Sequence, residues 1–147
     1  MVALAITACK KVTKEPVTVE TDTTKEVEIT PEWVSLFDGT SLNGWHVYNH
    51  PEGVNPWTIE DGVLMFPGRA SGSKPEFNLV TDNEYTDFVL SIEWKISEGG
   101  NSGIMWGVIE DEKYEHPYDT GPEIQVLDNE RHPDALANPK FHQAGAL

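Results

Sequence analysis

The sequence has little positive charge, one cysteine and no long hydrophobic run. Each of these shortages argues against particular classes of function. Only 10 of the 147 residues are Lys or Arg, against 25 Asp or Glu, so the formal net charge is −15. Nucleic acids and anionic membrane surfaces are bound by clustered basic residues, and this composition argues against both. No stretch reaches the roughly 20 apolar residues of a transmembrane helix. With 38% hydrophobic and 10% aromatic residues, the chain can still form a core, which indicates a soluble acidic domain.

The single cysteine, Cys9, cannot form an intrachain disulfide, and its surroundings suggest another role. Residues 1–8 are a short apolar run that ends in small side chains immediately before it. The segment Ile6–Cys9 resembles the lipobox of bacterial lipoproteins, in which the cysteine thiol carries diacylglycerol. The resemblance implies that residues 1–9 are the remnant of a signal peptide and that Cys9 is a lipid anchor in the bacterial cell envelope, periplasmic or surface-exposed. The alternative is an incidental or buried cysteine.

The composition changes sharply at Trp33. Residues 10–32 contain no aromatic side chain and consist mainly of Lys, Thr, Val and Glu, whereas every Trp, Tyr and Phe lies from Trp33 onward. A polar segment of this kind cannot bury enough apolar surface to order itself, so we interpret it as a disordered tether. Residues 33–147 are the predicted domain.

Within this domain, short apolar runs alternate with turn residues, which is typical of β-structure. Residues 57–60 and 63–66 flank Asp61-Gly62, a pair that is favoured in two-residue type I′ hairpin turns. The sequence therefore predicts a β-hairpin here, followed by a loop over residues 67–74.

The longest predicted strand, residues 85–96, alternates apolar and polar side chains with a period of two. Its apolar face is expected to place Trp94 in the core, while Glu93 belongs to the polar face. Residues 102–108 and 123–127 are two further predicted strands, and no helix of ten residues or more is expected. We therefore predict an all-β, antiparallel β-sandwich. The apolar face of the longest strand consists of Phe88, Leu90, Ile92, Trp94 and Ile96.

Five segments occur in the order Leu36–Trp45 (LFDGTSLNGW), Trp57–Leu64 (WTIEDGVL), Tyr85–Trp94 (YTDFVLSIEW), Gly100–Ile104 (GNSGI) and Glu123–Asp128 (EIQVLD). Together they resemble the 3-keto-disaccharide hydrolase domain family. The resemblance spans residues 33–147 and implies a concanavalin A-like jelly roll that acts on a carbohydrate. Family members continue past the segment that matches residues 142–147, so it also implies a sandwich that is incomplete at the C-terminus.

Three polar side chains on two of the predicted strands are the first candidates for chemistry. Glu123 and Gln125 are two residues apart, so they project from the same face of a strand, and Glu93 joins them if both strands lie in one sheet. Two neighbouring carboxylates either bind a cation or divide acid and base roles, because each raises the pKa of the other. Glu93 and Glu123 are thus candidate ligands of a possible divalent cation of unknown identity. The alternative is an ordinary solvated sheet face.

Four more candidates lie in or near the family-like segments. His142 is the best acid/base candidate among the histidines, and Trp106 could stack on a sugar ring. Asn101 is either a pocket residue or a turn residue. Asp128 could contact a metal or a sugar hydroxyl, although closing a turn is the favoured interpretation.

The resemblance implies a hydrolase or lyase that cleaves 3-keto-glycosides or 3-keto-disaccharides. A ketone at C3 acidifies the hydrogen on C2, so a base can remove it, or the base can activate water instead. We expect Glu123 to be the base or a metal ligand and His142 to be the acid/base group, with Glu93, Gln125 and Asn101 as positioning groups. The alternative is a non-catalytic, lectin-like carbohydrate-binding module, since the same sandwich supports both.

Overall fold

The fold consists almost entirely of antiparallel strands, as seen in a computed structural model that describes residues 2–11, 33–50, 52–68 and 77–147. The predicted all-β class is therefore confirmed. Within these ranges one short α-helix and one 3₁₀ turn, Pro117–Asp119, complete the secondary structure. The elements are β1 (Val2–Lys11), β2 (Trp33–Val34), β3 (Trp45–Val47), β4 (Thr58–Glu60), β5 (Val63–Phe66), β6 (Leu79–Thr81), β7 (Phe88–Ile96), β8 (Asn101–Met105), β9 (Glu123–Leu127) and α1 (Pro133–Ala137).

The strands of the described ranges form one five-stranded sheet and two two-stranded sheets. In the large sheet β1 is central and pairs with β7 along its length, while β2 and β5 pair with different parts of β1 and β4 lies outside β5. The smaller sheets are β3 with β6 and β8 with β9. All of these pairings are antiparallel.

The predicted hairpin is present as β4 and β5. Thr58 pairs with Met65 and Glu60 with Val63, which leaves Asp61 and Gly62 as the two loop residues. Their φ angles are 51° and 76°, and positive values at both central positions define the type I′ turn. The Asp61-Gly62 pair therefore determines the register of this hairpin, because few other residues adopt positive φ angles without strain.

The core of the large sheet is centred on Phe37 and Leu64, which are buried. Trp45 closes one side of it, and its indole N–H donates to the carbonyl oxygen of Leu36 at 2.6 Å. The family-like segment that begins at Leu36 therefore folds back on itself and packs on the core. The partly buried side chains that surround the pair are Leu36, Leu42, Trp45, Trp57, Ile59, Leu79 and Ile92.

The apolar face of β7 is only partly covered. Ile92 packs on the core cluster, but Phe88 and Trp94 are 38% and 40% exposed. The prediction that Trp94 is a core residue is therefore wrong. Alternation determines which side chains share a face, but it carries no information about what covers that face.

The N-terminal segment is a strand in this structure. β1 runs antiparallel to β7 from the pair Val2–Ile96 to the pair Lys11–Phe88, so the first two residues of the predicted tether belong to the sheet. The remainder of that tether, residues 12–32, lies outside the described residues, as do residues 69–74 of the predicted loop. Among the described residues, no helix has the length and apolar character needed to cross a bilayer.

Candidate functional site

The candidate site is built on the β8–β9 hairpin. Met105 pairs with Glu123, and Gly103 pairs with Gln125. Because directly opposed residues in an antiparallel pair point to the same face, these four residues share one side of the ladder. The alternation of β9 thus does place Glu123 and Gln125 together, as the sequence predicts.

The Glu123 side chain leans diagonally across the hairpin and covers Gly103. A Cβ atom added at Gly103 would overlap both the carboxylate and the Cγ atom of Glu123. Glycine within a strand marks a close approach of another group, and here that group is the candidate base. Sequence analysis did not single out Gly103, although a glycine inside a predicted strand was the signal that could have revealed it.

The environment of Glu123 favours its protonated form. Burial of the half-buried side chain raises the pKa of Glu123 above its ordinary value of 4.5, and a hydrogen bond from Gln125 acts in the opposite direction. The Gln125 amide nitrogen donates to a Glu123 carboxylate oxygen at 3.1 Å. A carboxylate with a raised pKa is a stronger base, and the amide fixes its orientation.

The second edge of β9 is occupied by the segment that follows α1. The N–H of Gln125 donates to the Ala146 carbonyl, and the N–H of Gly145 donates to the Gln125 carbonyl, both at 2.8 Å. The N–H of Ala144 also donates to the side-chain oxygen of Asn129 at 2.7 Å. The segment that contains the partly buried His142 is therefore hydrogen-bonded to β9, the strand that contains the candidate base Glu123.

Asp128 closes a turn. Its two carboxylate oxygens accept from the backbone N–H groups of Gly99 at 2.8 Å and Glu130 at 3.0 Å. These hydrogen bonds lower the pKa of Asp128 and occupy the carboxylate. Of the two interpretations given for this residue, the turn is the one that the geometry supports. Asn101 lies at the start of β8, where it pairs with Leu127 and is exposed.

Glu93 does not join the other two candidates. It lies on β7 and pairs with Ala5 of β1 in the large sheet, whereas Glu123 belongs to the separate β8–β9 pair. The condition for their predicted convergence, one common sheet, is not met. Among the described residues, no three His, Cys, Asp or Glu side chains are grouped as metal ligands. The two carboxylates predicted as cation ligands are therefore divided between two sheets.

Trp57 and Trp106 lie in different surroundings. The Trp57 indole N–H donates to the Phe77 carbonyl at 2.7 Å, and its ring lies 5.2 Å from that of Phe66. Trp57 is therefore a packing residue. Trp106 is 37% exposed and directly follows Met105, the partner of Glu123. Of these two, Trp106 is the aromatic residue that flanks the site.

Comparison with known proteins gives consistent results. The 3-keto-alpha-glucoside-1,2-lyase-like domain matches residues 32–147. A 3-keto-disaccharide hydrolase of Bacteroides thetaiotaomicron is 38% identical over 127 residues, which cover 78% of this chain and 44% of that protein. A crystal structure from Parabacteroides distasonis, assigned as a glycosyl hydrolase, has a TM-score of 0.52 and 31% identity over 68% of this chain and 43% of that one. The chain thus spans less than half the length of either relative.

Proposed function

Because this chain belongs to the 3-keto-alpha-glucoside-1,2-lyase-like domain family, we propose that it cleaves 3-keto-glycosides or 3-keto-disaccharides with Glu123 as the base. The observation that carries the proposal is the position of Glu123, half-buried over Gly103 and oriented by Gln125. The name of the Bacteroides thetaiotaomicron relative supports the same substrate class.

The proposed reaction begins at C2 of the sugar. Glu123 takes the C2 proton, and the electron pair of that C–H bond forms the enolate with the C3 ketone. The enolate then expels the aglycone as the C1–O bond breaks, and an acid protonates the leaving oxygen. We propose His142 for that acid, because its segment is paired with β9. Addition of water to the resulting enone completes the hydrolysis.

The test is turnover by the full-length protein of a 3-keto-glucoside beside the corresponding unoxidised glucoside. We expect release of the aglycone only from the keto substrate, and loss of that release in Glu123→Gln. Glu60→Gln is the matched control, because it removes the same charge from an exposed strand position. If neither sugar is cleaved but both remain bound, the protein is a carbohydrate-binding module and the proposal is wrong.

We further propose that Cys9 carries a lipid anchor, on the basis of the small and apolar residues that precede it. Cleavage before Cys9 would remove residues 2–8 from β1. A protein with a lipid anchor on Cys9 would therefore lack most of this strand, and a protein that keeps the strand would lack the anchor. Membrane fractionation and mass spectrometry of the native protein, beside Cys9→Ser, distinguish them. An unmodified Cys9 in a protein that keeps residues 2–8 would contradict the anchor.

A further inference from the structure

His46 lies between two carboxylates that come from distant parts of the chain. Its Nδ1 is 2.6 Å from a carboxylate oxygen of Asp82, the residue after β6, and its Nε2 is 2.7 Å from a carboxylate oxygen of Glu110. Glu110 belongs to the connector, defined here as residues 106–122, which joins β8 to β9. His46 therefore links β3, the end of β6 and the loop that leads into the candidate site.

The two contacts require a protonated ring. An ionised carboxylate only accepts hydrogen bonds, so both imidazole nitrogens must donate, and only the imidazolium does so. Partial burial lowers the pKa of His46, but the hydrogen bonds to Glu110 and Asp82 raise it by more, and the net shift is upward from 6.5. Asp82 and Glu110 are the charged groups that contact the ring.

Neighbouring hydrogen bonds attach the connector to the same stretch of chain. The second carboxylate oxygen of Glu110 accepts from the backbone N–H of Asn49 at 2.5 Å. The Tyr48 hydroxyl donates to the Ile109 carbonyl at 3.1 Å, and the Asn49 side-chain amide donates to the Tyr114 carbonyl at 2.9 Å. The connector is thus docked on residues 46–49, with the His46–Glu110 pair as its charged contact.

The two ends of the connector are held together next to the candidate site. The N–H of Ile109 donates to the Thr120 hydroxyl at 2.9 Å. At the next position, a Cβ atom on Gly121 would lie 2.6 Å from the Trp106 carbonyl oxygen, so the two ends of the connector are in close contact. Glu123 follows two residues later.

We propose that His46 is a positioning residue of the site, which as an imidazolium holds the connector and thereby sets Trp106 relative to Glu123. The inference rests on the proposed function for its catalytic consequence, although the docking itself does not. Loss of the proton leaves a lone pair facing one of the carboxylates, so the connector loosens as the pH rises through the pKa of the folded-state ring. Substrate binding, measured as KM, should then weaken at alkaline pH.

Three variants of the full-length protein separate charge from shape. His46→Gln removes the positive charge and has one donor nitrogen where the imidazolium has two, so it should release the connector, with KM about tenfold higher, which corresponds to about 1.4 kcal/mol. His46→Arg keeps a cation with several donors, so it should restore docking and abolish the alkaline rise in KM. Glu110→Gln lets a neutral ring accept from the new amide, and it should also abolish that rise.

The direct readout is independent of turnover. The ring protons of His46, followed by NMR, should titrate above 6.5. Exchange of the Asn49 amide, whose N–H donates to residue 110 across the docked contact, should accelerate in wild type relative to Glu110→Gln at the same alkaline pH. An ordinary titration with unchanged exchange would overturn the docking inference. Loosening of the connector without any change in KM would overturn the positioning role. Both readouts are obtained even if the keto-sugar assay is negative, so failure of the proposed function is a separate result.

Discussion

The Glu123 carboxylate lies over Gly103, at a position where any side chain on the neighbouring strand would collide with it. A side chain of β9 thus lies directly over the backbone of β8. This contact brings the acid across the ladder toward Gly103, while the Gln125 amide holds one of its oxygens. Burial in this position also raises the pKa of Glu123, so the packing of one glycine and the basicity of one carboxylate have a common origin.

Gly103→Ala tests this relationship. The new methyl group should displace the Glu123 side chain, with a loss of stability of about 1–3 kcal/mol, as is usual for overpacking. Turnover of the keto substrate should fall together with stability. Urea denaturation and steady-state kinetics measure the two effects. Ser102→Ala alters the adjacent position on the opposite face and should leave turnover unchanged; an equal loss in both variants would mean that the effect is not specific to Glu123.

Glu123→Gln should separate stability from activity. Since the folded-state pKa of Glu123 is raised above 4.5, the folded protein binds more protons than the unfolded chain just above that pH. The ionised carboxylate therefore costs stability at neutral pH, and the neutral amide removes that cost. We expect a higher Tm at pH 7, no gain below about pH 4, and a decrease in kcat of about 10²–10⁴-fold. A lower Tm at pH 7 would show that the carboxylate is stabilising instead.

Much of the fold followed from local patterns, and the exceptions have physical causes. The hairpin at Asp61-Gly62 and strand β9 were predicted because turn chemistry and alternation are local signals. The three-residue strands β3 and β6 were not predicted, since three residues are too few to show a period. The exposure of Trp94 depends on contacts between distant segments, which alternation does not encode.

Gln125→Leu should shift the pH dependence of the reaction. The amide hydrogen bond lowers the pKa of Glu123, so its removal should raise that pKa further. A base is active only when deprotonated, and the acidic limb of the kcat/KM profile should therefore move to higher pH. Profiles of wild type and variant measure the shift. A limb that stays in place would mean that the titrating group is not Glu123.

Trp106 and Trp57 should respond differently to substitution. Trp106→Ala removes an exposed ring beside the site, so KM should rise several-fold with little change in Tm. Trp57→Phe removes the donor to the Phe77 carbonyl and should cost about 1 kcal/mol of stability without affecting KM. Thermal denaturation and saturation kinetics of both variants provide the comparison, and a KM effect from Trp57→Phe alone would reverse the assignment.

The candidate site was predictable only where it depended on a single strand. Glu123 and Gln125 share a face because they are two residues apart, whatever the rest of the fold does. Whether Glu93 joins them depends on which strands share a sheet, and that is decided by pairing across the whole chain. The contacts of His46 with Asp82 and Glu110 likewise span sequence separations of 36 and 64 residues. No local sequence pattern predicts contacts over such separations.

The most direct measurement is the fate of deuterium at C2 of a 3-keto-glucoside during turnover by the full-length protein. If Glu123 removes that hydrogen, kcat/KM should show a primary isotope effect, the deuteron should be lost to solvent, and Glu123→Gln should suppress both. Retention of deuterium in the product with no isotope effect would contradict C2 deprotonation and would instead indicate direct attack of water at C1.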